Sequence, residues 1–120
     1  MQRLWIAFGA LAGFGAVALS AVAAHALGGL PAASVAMVRS GIEMEGWHAL
    51  ALFGVGLWAP RGGRLADAAG VAFAVGLLLF CGAVYALGLG GVSLGTVAPI
   101  GGTLLMLGWL LLGLSALRAR

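Results

Sequence analysis

The 120 residues are 63% hydrophobic and only 8% charged, which excludes the polar surface that a water-soluble domain of this size carries. The six basic residues are scattered arginines, so the net charge of +3 favours a role in membrane orientation and argues against a nucleic-acid-binding patch. A hydrocarbon layer about 30 Å thick needs about 20 apolar residues per helical crossing, so a single transmembrane domain over residues 1–120 has room for four or five crossings.

The first predicted helix runs from about residue 4 to residue 27 and ends before Gly28 and Pro31, residue types that stop helices. Its start also matches a secretory signal peptide, with Arg3 before an apolar run and small residues at 21–24. The apolar run is long enough to span a membrane, which favours a retained helix. Small residues recur at every fourth position and predict a packing face, formed by Ala12, Ala16, Ser20 and Ala24.

The rest of the chain predicts three further transmembrane helices and a short helix on the membrane surface. The short interfacial helix covers residues 31–41, where apolar side chains fall on one side. The transmembrane helices cover about 42–59, 66–89 and 96–117, separated by the Pro60 to Arg64 turn and by a glycine-rich connector. We therefore expect an all-α membrane protein, built as a bundle of four transmembrane helices.

The distribution of arginines predicts the orientation of this bundle. If successive helices alternate in direction, five arginines lie on one side of the membrane and Arg39 lies alone on the other. The five are Arg3, Arg61, Arg64, Arg118 and Arg120. Because basic residues are enriched in cytoplasmic segments, both termini are expected in the cytoplasm.

Polar side chains gather at the predicted outer ends of the helices. Ionisable groups at mid-bilayer cost about 2.5–3.5 kcal/mol on insertion scales, so they have partners or a task. Four of these side chains come from three helices at one predicted depth and form a candidate ligand-binding layer. They are His25, Glu45, His48 and Tyr85.

Glu45 and His48 have the spacing of a metal-ligand pair on one helix, and His25 is a candidate third ligand. A hydrogen-bonded glutamate and histidine need no metal, so the sequence leaves metal binding and cofactors undetermined. His25 has an alternative role as a cap at the end of its helix, where a histidine interacts with free carbonyl groups. Cys81 lies in an apolar run and is interpreted as a small packing residue.

Several short motifs, in chain order, resemble those of the YgdD-like family, whose members are small four-helix inner-membrane proteins of unknown function. The motifs lie at residues 24–27, 47–52, 79–85, 98–102 and 108–109. The chain departs from the family pattern at Met44-Glu45, where the family has Tyr-Gln, at Cys81 and Ala83, where it has serine, and at Ala98, where it has threonine. The resemblance implies four helices and a bacterial-type inner membrane, and it implies no activity.

Three functions are compatible with these residues. The first is a non-enzymatic accessory or structural protein that acts through helix contacts, with lipid, with a second copy or within a larger complex. The second is a binding or transport component whose polar layer holds a proton, a metal or a small polar ligand. An enzyme ranks third, because no nucleophile and base share a suitable spacing and no phosphate loop is present.

Overall fold

The chain is all-helical in a computed structural model, which describes residues 1–119. Three α-helices follow one another: α1 (Gln2–His25), α2 (Ala32–Gly90) and α3 (Val97–Arg118). All three are long and apolar enough to cross a membrane. The predicted all-α class is confirmed. Arg120, one of the five arginines in the orientation argument, lies outside the described residues.

Helix α2 folds back on itself at Gly63. A straight helix of its 59 residues would be about 88 Å long, whereas the longest dimension of the molecule is 53 Å. Gly63 has φ 63° and ψ −145°, a combination that is open almost only to glycine. The first arm (residues 32–62) and the second arm (residues 64–90) are antiparallel, because Val38 faces Gly88 and Gly41 faces Tyr85.

The predicted count of four helices and the predicted interfacial helix are not found. Residues 31–41, 42–59 and 66–89, which the sequence assigns to three helices, fall within α2 apart from Pro31. The turn is so tight that Gly63 is the one residue of α2 with non-helical backbone angles. Residues 32–41 belong to the first arm, where Val38 is buried against Ala23 near the end of α1 and Leu27 just beyond it. Their apolar side serves helix packing rather than the membrane surface.

Helix α1 packs on α2 through residues spaced alternately by three and four positions. The contact face contains Trp5, Gly9, Ala12, Ala16 and Ala23. Of the stripe predicted at every fourth position, Ala16 is buried and Ala12 half-buried, whereas Ser20 and Ala24 are exposed. A strict four-residue spacing drifts around a helix by about 40° per step, so its later members leave the contact. Alternating spacing keeps a face toward the neighbour, as in left-handed bundles.

Helix α3 packs against the second arm with direct backbone contact. A Cβ atom added to Gly76 would lie 2.9 Å from the Gly101 carbonyl oxygen, and one added to Gly108 would lie 2.7 Å from the Phe73 ring. Within the described residues α1 and α3 do not touch, so each packs separately on the hairpin of α2. The hairpin therefore forms the centre of the molecule, and its buried polar residues, Glu45 and His48, lie at the contacts with α1 and α3.

Candidate functional site

The predicted polar layer is divided into two clusters on adjacent faces of the first arm, because Glu45 and His48 are three residues apart and differ by about 60° around the helix. Glu45 faces α1 and Tyr85 of the second arm, and we call this cluster with its cavity the carboxyl site. His48, about one helical turn further along, faces Phe73 of the second arm and Trp109 of α3. We call the hydrogen-bonded His48 and Trp109 the histidine bridge.

The carboxyl site contains a buried glutamate with one protein hydrogen bond. Glu45 is 9% exposed, and its Oε1 accepts a hydrogen bond of 2.8 Å from the Tyr85 hydroxyl. Its Oε2 lies against α1, where a Cβ atom added to Gly15 would approach it to 2.7 Å. Oε2 has no donor among the described residues and is not fully enclosed. Half of this carboxyl group is therefore free to interact with a ligand.

A cavity of about 330 Å³ opens beside this glutamate, between α1 and the second arm. Its walls are otherwise apolar or weakly polar and consist of Phe8, Leu11, Ala12, Leu77, Leu78, Cys81, Gly82 and Tyr85. Leu11 and Leu78 at its edge are 70% and 63% exposed on the apolar outer surface. The Cys81 thiol donates to the Gly41 carbonyl at 3.5 Å. The cavity thus opens sideways, toward the surface that faces lipid in a membrane.

Glu45 and His48 lie further from the start of their helix than the sequence predicts. Because the first arm begins at Ala32 and not near residue 42, Glu45 is about 20 Å and His48 about 24 Å from its start, at 1.5 Å per residue. In the predicted helix, which begins at about residue 42, His48 would be only about 9 Å from the start. The added ten residues of helix move both side chains toward the middle of the arm.

The histidine bridge fixes which ring nitrogen of His48 carries the proton. Its Nδ1 lies 2.7 Å from the Met44 carbonyl oxygen, and the Trp109 indole N–H donates to Nε2 over 3.1 Å. A carbonyl only accepts and an indole only donates, so Nδ1 carries the proton and Nε2 is bare. His48 is 2% exposed and both of its nitrogens are used. Binding a metal there would break the bond to Trp109.

His25 is not part of either cluster. It is exposed at the last residue of α1, ten residues beyond Gly15, and is therefore about 15 Å further along the helix than Glu45. This position fits the alternative role as a helix cap. Of the four predicted site residues, the structure brings together Glu45 and Tyr85, with His48 nearby on another face. Residues 1–119 contain no group of three histidine, cysteine, aspartate or glutamate side chains arranged to hold a metal.

Sequence reasoning missed the role of the tryptophans as links between helices. Trp5 donates to Asp67 at 2.8 Å, and Trp58 donates to Ser115 at 2.9 Å. Together with Trp109 they connect α1 and α3 to the hairpin. The available signal is chemical: a buried indole N–H finds an acceptor, and each of these tryptophans has an acceptor on another helix.

Known proteins similar to this chain are also membrane proteins. The family described as "Protein of unknown function (DUF423)" matches residues 19–102. A UPF0382 membrane protein of Haemophilus influenzae is 34% identical over 100% of this chain and 98% of the relative.

Two further relatives match over nearly the whole length. The UPF0382 inner membrane protein YgdD of Escherichia coli is 32% identical over 99% of this chain and 93% of the relative. The UPF0382 membrane protein YwdK of Bacillus subtilis is 31% identical over 98% of each. No solved structure matches. The resemblance seen in the sequence motifs is confirmed, and the chain belongs to the DUF423 (UPF0382) family of membrane proteins of unknown function.

Proposed function

We propose that this protein is a binding or transport component of the membrane and that it holds a small ligand at the carboxyl site. The observation that carries the proposal is Glu45: nine-tenths buried, bonded through one oxygen to Tyr85, and open through the other to an apolar cavity. Convergent polar groups in a largely apolar pocket of this size are characteristic of small-molecule sites.

The energetics of burial distinguish this site from a structural one. A buried polar atom without a partner is costly, and structural sites in proteins satisfy nearly all of their polar atoms. The histidine bridge follows that rule, since both nitrogens of His48 are bonded. Glu45 Oε2 has no protein donor among the described residues and is not fully enclosed, so it borders space that a ligand can enter. A role in packing alone accounts for both nitrogens of His48 and leaves this oxygen without a protein partner.

The proposed topology has four crossings, with each arm of α2 crossing separately and both termini in the cytoplasm. At 1.5 Å per residue each arm is about 40 Å or longer, which exceeds a hydrocarbon layer of about 30 Å. The hydrogen bond between Trp5 and Asp67 holds the start of α1 beside the turn of the hairpin. This contact gathers Arg3, Arg61 and Arg64 at one end of the bundle, as a cytoplasmic face requires.

Cysteine labelling tests this topology. In a Cys81→Ala background, a membrane-impermeant maleimide applied to intact cells should modify Ser93→Cys, in the connector before α3, and spare Ala119→Cys. Both positions lie beyond helix ends, so neither change disturbs packing. After permeabilisation both should react, which verifies that position 119 is accessible. Labelling of Ala119→Cys in intact cells would overturn the orientation.

A hydrophobic carbodiimide tests the proposed site directly, because it reaches carboxyl groups from the apolar phase. In lipid nanodiscs we expect it to form an adduct at Glu45 and none in the Glu45→Gln variant. A water-soluble carbodiimide should instead modify Glu43, which is exposed two residues away. Peptide mass spectrometry locates each adduct. Absence of the Glu45 adduct in folded wild-type protein would contradict a cavity open to lipid.

A second candidate function is a scaffold that acts through helix contacts. It is favoured by a groove of about 480 Å³ between α1 and the first arm. The groove is lined largely by small residues, which allow close approach of another helix, among them Gly9, Gly13, Ala16, Gly46 and Ala49. A scaffold predicts a stable oligomer in native mass spectrometry and no change in ligand binding in the Glu45→Gln variant. The proposed binding function predicts that Glu45→Gln reduces ligand binding.

A further inference from the structure

We infer that the carboxyl site takes a lipophilic amine in its protonated form, with the ammonium group on Glu45 and the apolar body in the cavity. This inference rests on the proposed function, namely that the site holds a ligand, and adds its chemical class. It follows from three features of the site: its charge, its missing hydrogen-bond donor and the nature of its walls.

The charge of the site favours a cation. Glu45 is the one carboxyl group among the residues that line the cavity, and no arginine, lysine or histidine is among them. A carboxylate in apolar surroundings gains most from a partner of opposite charge. An anionic ligand would meet no cation on these walls. A neutral ligand would leave the carboxylate charge uncompensated.

The hydrogen-bonding pattern calls for a donor. Tyr85 supplies a donor to Oε1, and Oε2 has none among the described residues. An ammonium N–H provides both the charge and the donor, and such charge-assisted bonds are roughly twice as strong as neutral ones. An alcohol would provide a donor without the charge. A quaternary ammonium would provide the charge without a donor.

The walls of the cavity exclude an inorganic cation and accept an organic one. Metal ions such as Ca²⁺ or Mg²⁺ take about six or more oxygen ligands, whereas this cavity offers one carboxylate and one phenol. Leu77, Leu78 and Leu11 instead match the apolar body of a lipophilic molecule. The rings of Phe8 and Tyr85 also lie on the cavity wall, where aromatic faces attract an ammonium group. The opening between Leu11 and Leu78 admits such a molecule from the lipid.

The Glu45→Gln variant removes the charge with little risk to folding. Glutamine has nearly the shape of glutamate, and its amide oxygen still accepts the hydrogen bond from Tyr85. The matched control is Glu43→Gln, which removes the same charge from the exposed side of the same arm.

The experiment measures protection of Glu45 from the hydrophobic carbodiimide in nanodiscs of zwitterionic lipid. The probe is N,N-dimethyl-4-phenylbutylamine, which carries one N–H when protonated and cannot form an amide with an activated carboxyl group. The matched neutral compound is 4-phenylbutan-1-ol. We expect the amine to slow modification of Glu45 about tenfold more than the alcohol at equal membrane concentration, a difference of ~1.4 kcal/mol in binding. The quaternary trimethylammonium analogue should protect to an intermediate extent.

A second measurement compares direct binding of the amine by native mass spectrometry. Wild type and Glu43→Gln should retain the bound amine, and Glu45→Gln should lose it. Gly82→Leu should also weaken binding, because Gly82 borders the cavity and its Cβ position faces open space. Gly54→Leu adds the same side chain to a position that is equally open and outside the cavity, and should have no effect.

The outcomes separate the inference from the function on which it rests. If Glu45 is modified and the amine protects no better than the alcohol, the site is open to lipid but the ligand is not a cation, and the inference is wrong. Equal amine binding by wild type and Glu45→Gln would also overturn it. If wild-type Glu45 is not modified at all, the proposed function itself fails.

Discussion

Replacing Gly101 with leucine is expected to prevent α3 from packing on α2. A Cβ atom at this position would lie 2.8 Å from the Gly76 carbonyl oxygen and 2.9 Å from the Phe80 Cα, both of them backbone atoms. Backbone on two helices cannot rotate away as a side chain does, so the helices must separate. Overpacking of a core costs about 1–3 kcal/mol for a few added methylenes. We expect Gly101→Ala to cost that much and Gly101→Leu to leave no folded population.

Unfolding in mixed detergent micelles, followed by tryptophan fluorescence, measures this effect. The matched control is Gly113, on the same helix α3, where an added Cβ atom meets nothing within 4 Å. Gly113→Ala and Gly113→Leu should both fold like the parent protein. A Gly101→Leu variant as stable as Gly113→Leu would show that α3 does not contact α2 backbone to backbone.

Replacing Phe73 with alanine is expected to have the next largest effect. Phe73 is fully buried, and its ring packs edge-on against Trp109, with centroids 5.0 Å apart, and against His48 at 5.6 Å. Truncation of buried aromatic residues costs roughly 3–5 kcal/mol. We expect about 3 kcal/mol here, the lower end, because side chains leaving a bundle for lipid forfeit packing without entering water.

The Phe73→Ala variant should also loosen the histidine bridge. With the Phe73 ring removed, Trp109 loses its edge-on packing partner and becomes more accessible to lipid. Quenching of tryptophan fluorescence by brominated lipids should therefore increase. Val75→Ala, two residues away on the lipid-facing side of the same arm, is the control. It should change the free energy of unfolding by no more than about 0.5 kcal/mol. A similar small change for Phe73→Ala would contradict the packed core between α2 and α3.

The Phe73→Ala variant also tests whether the carboxyl site is independent of the histidine bridge. Phe73 supports the histidine bridge and lies outside the cavity of the carboxyl site. A stable but weakened Phe73→Ala protein should therefore still show modification of Glu45 by the hydrophobic carbodiimide. The histidine bridge is interpreted as a structural link and the carboxyl site as the functional one.

The amino-acid sequence by itself determines the helical class and the membrane environment. With 63% hydrophobic residues, the chain has too little polar surface for water, and helices satisfy backbone hydrogen bonds within one segment. Gly28, Pro31 and the Pro60 to Gly63 region mark the places where the direction changes, because their backbone preferences are local. The pairing of Glu45 with Tyr85 is also predictable in outline, since both are polar residues near the predicted outer ends of neighbouring helices.

The tertiary structure decided what depends on contacts between helices. The sequence predicts that Val38 belongs to a surface helix, yet it is buried because α1 lies beside it. The first arm begins at Ala32, so Glu45 and His48 lie further from its start than predicted. Hydropathy does not specify rotation about a helix axis, so the sequence cannot assign Glu45 to a cavity and His48 to Trp109. Likewise, the contact face of α1 follows alternating spacing because that spacing keeps one face toward the partner helix, a constraint that one helix alone does not contain.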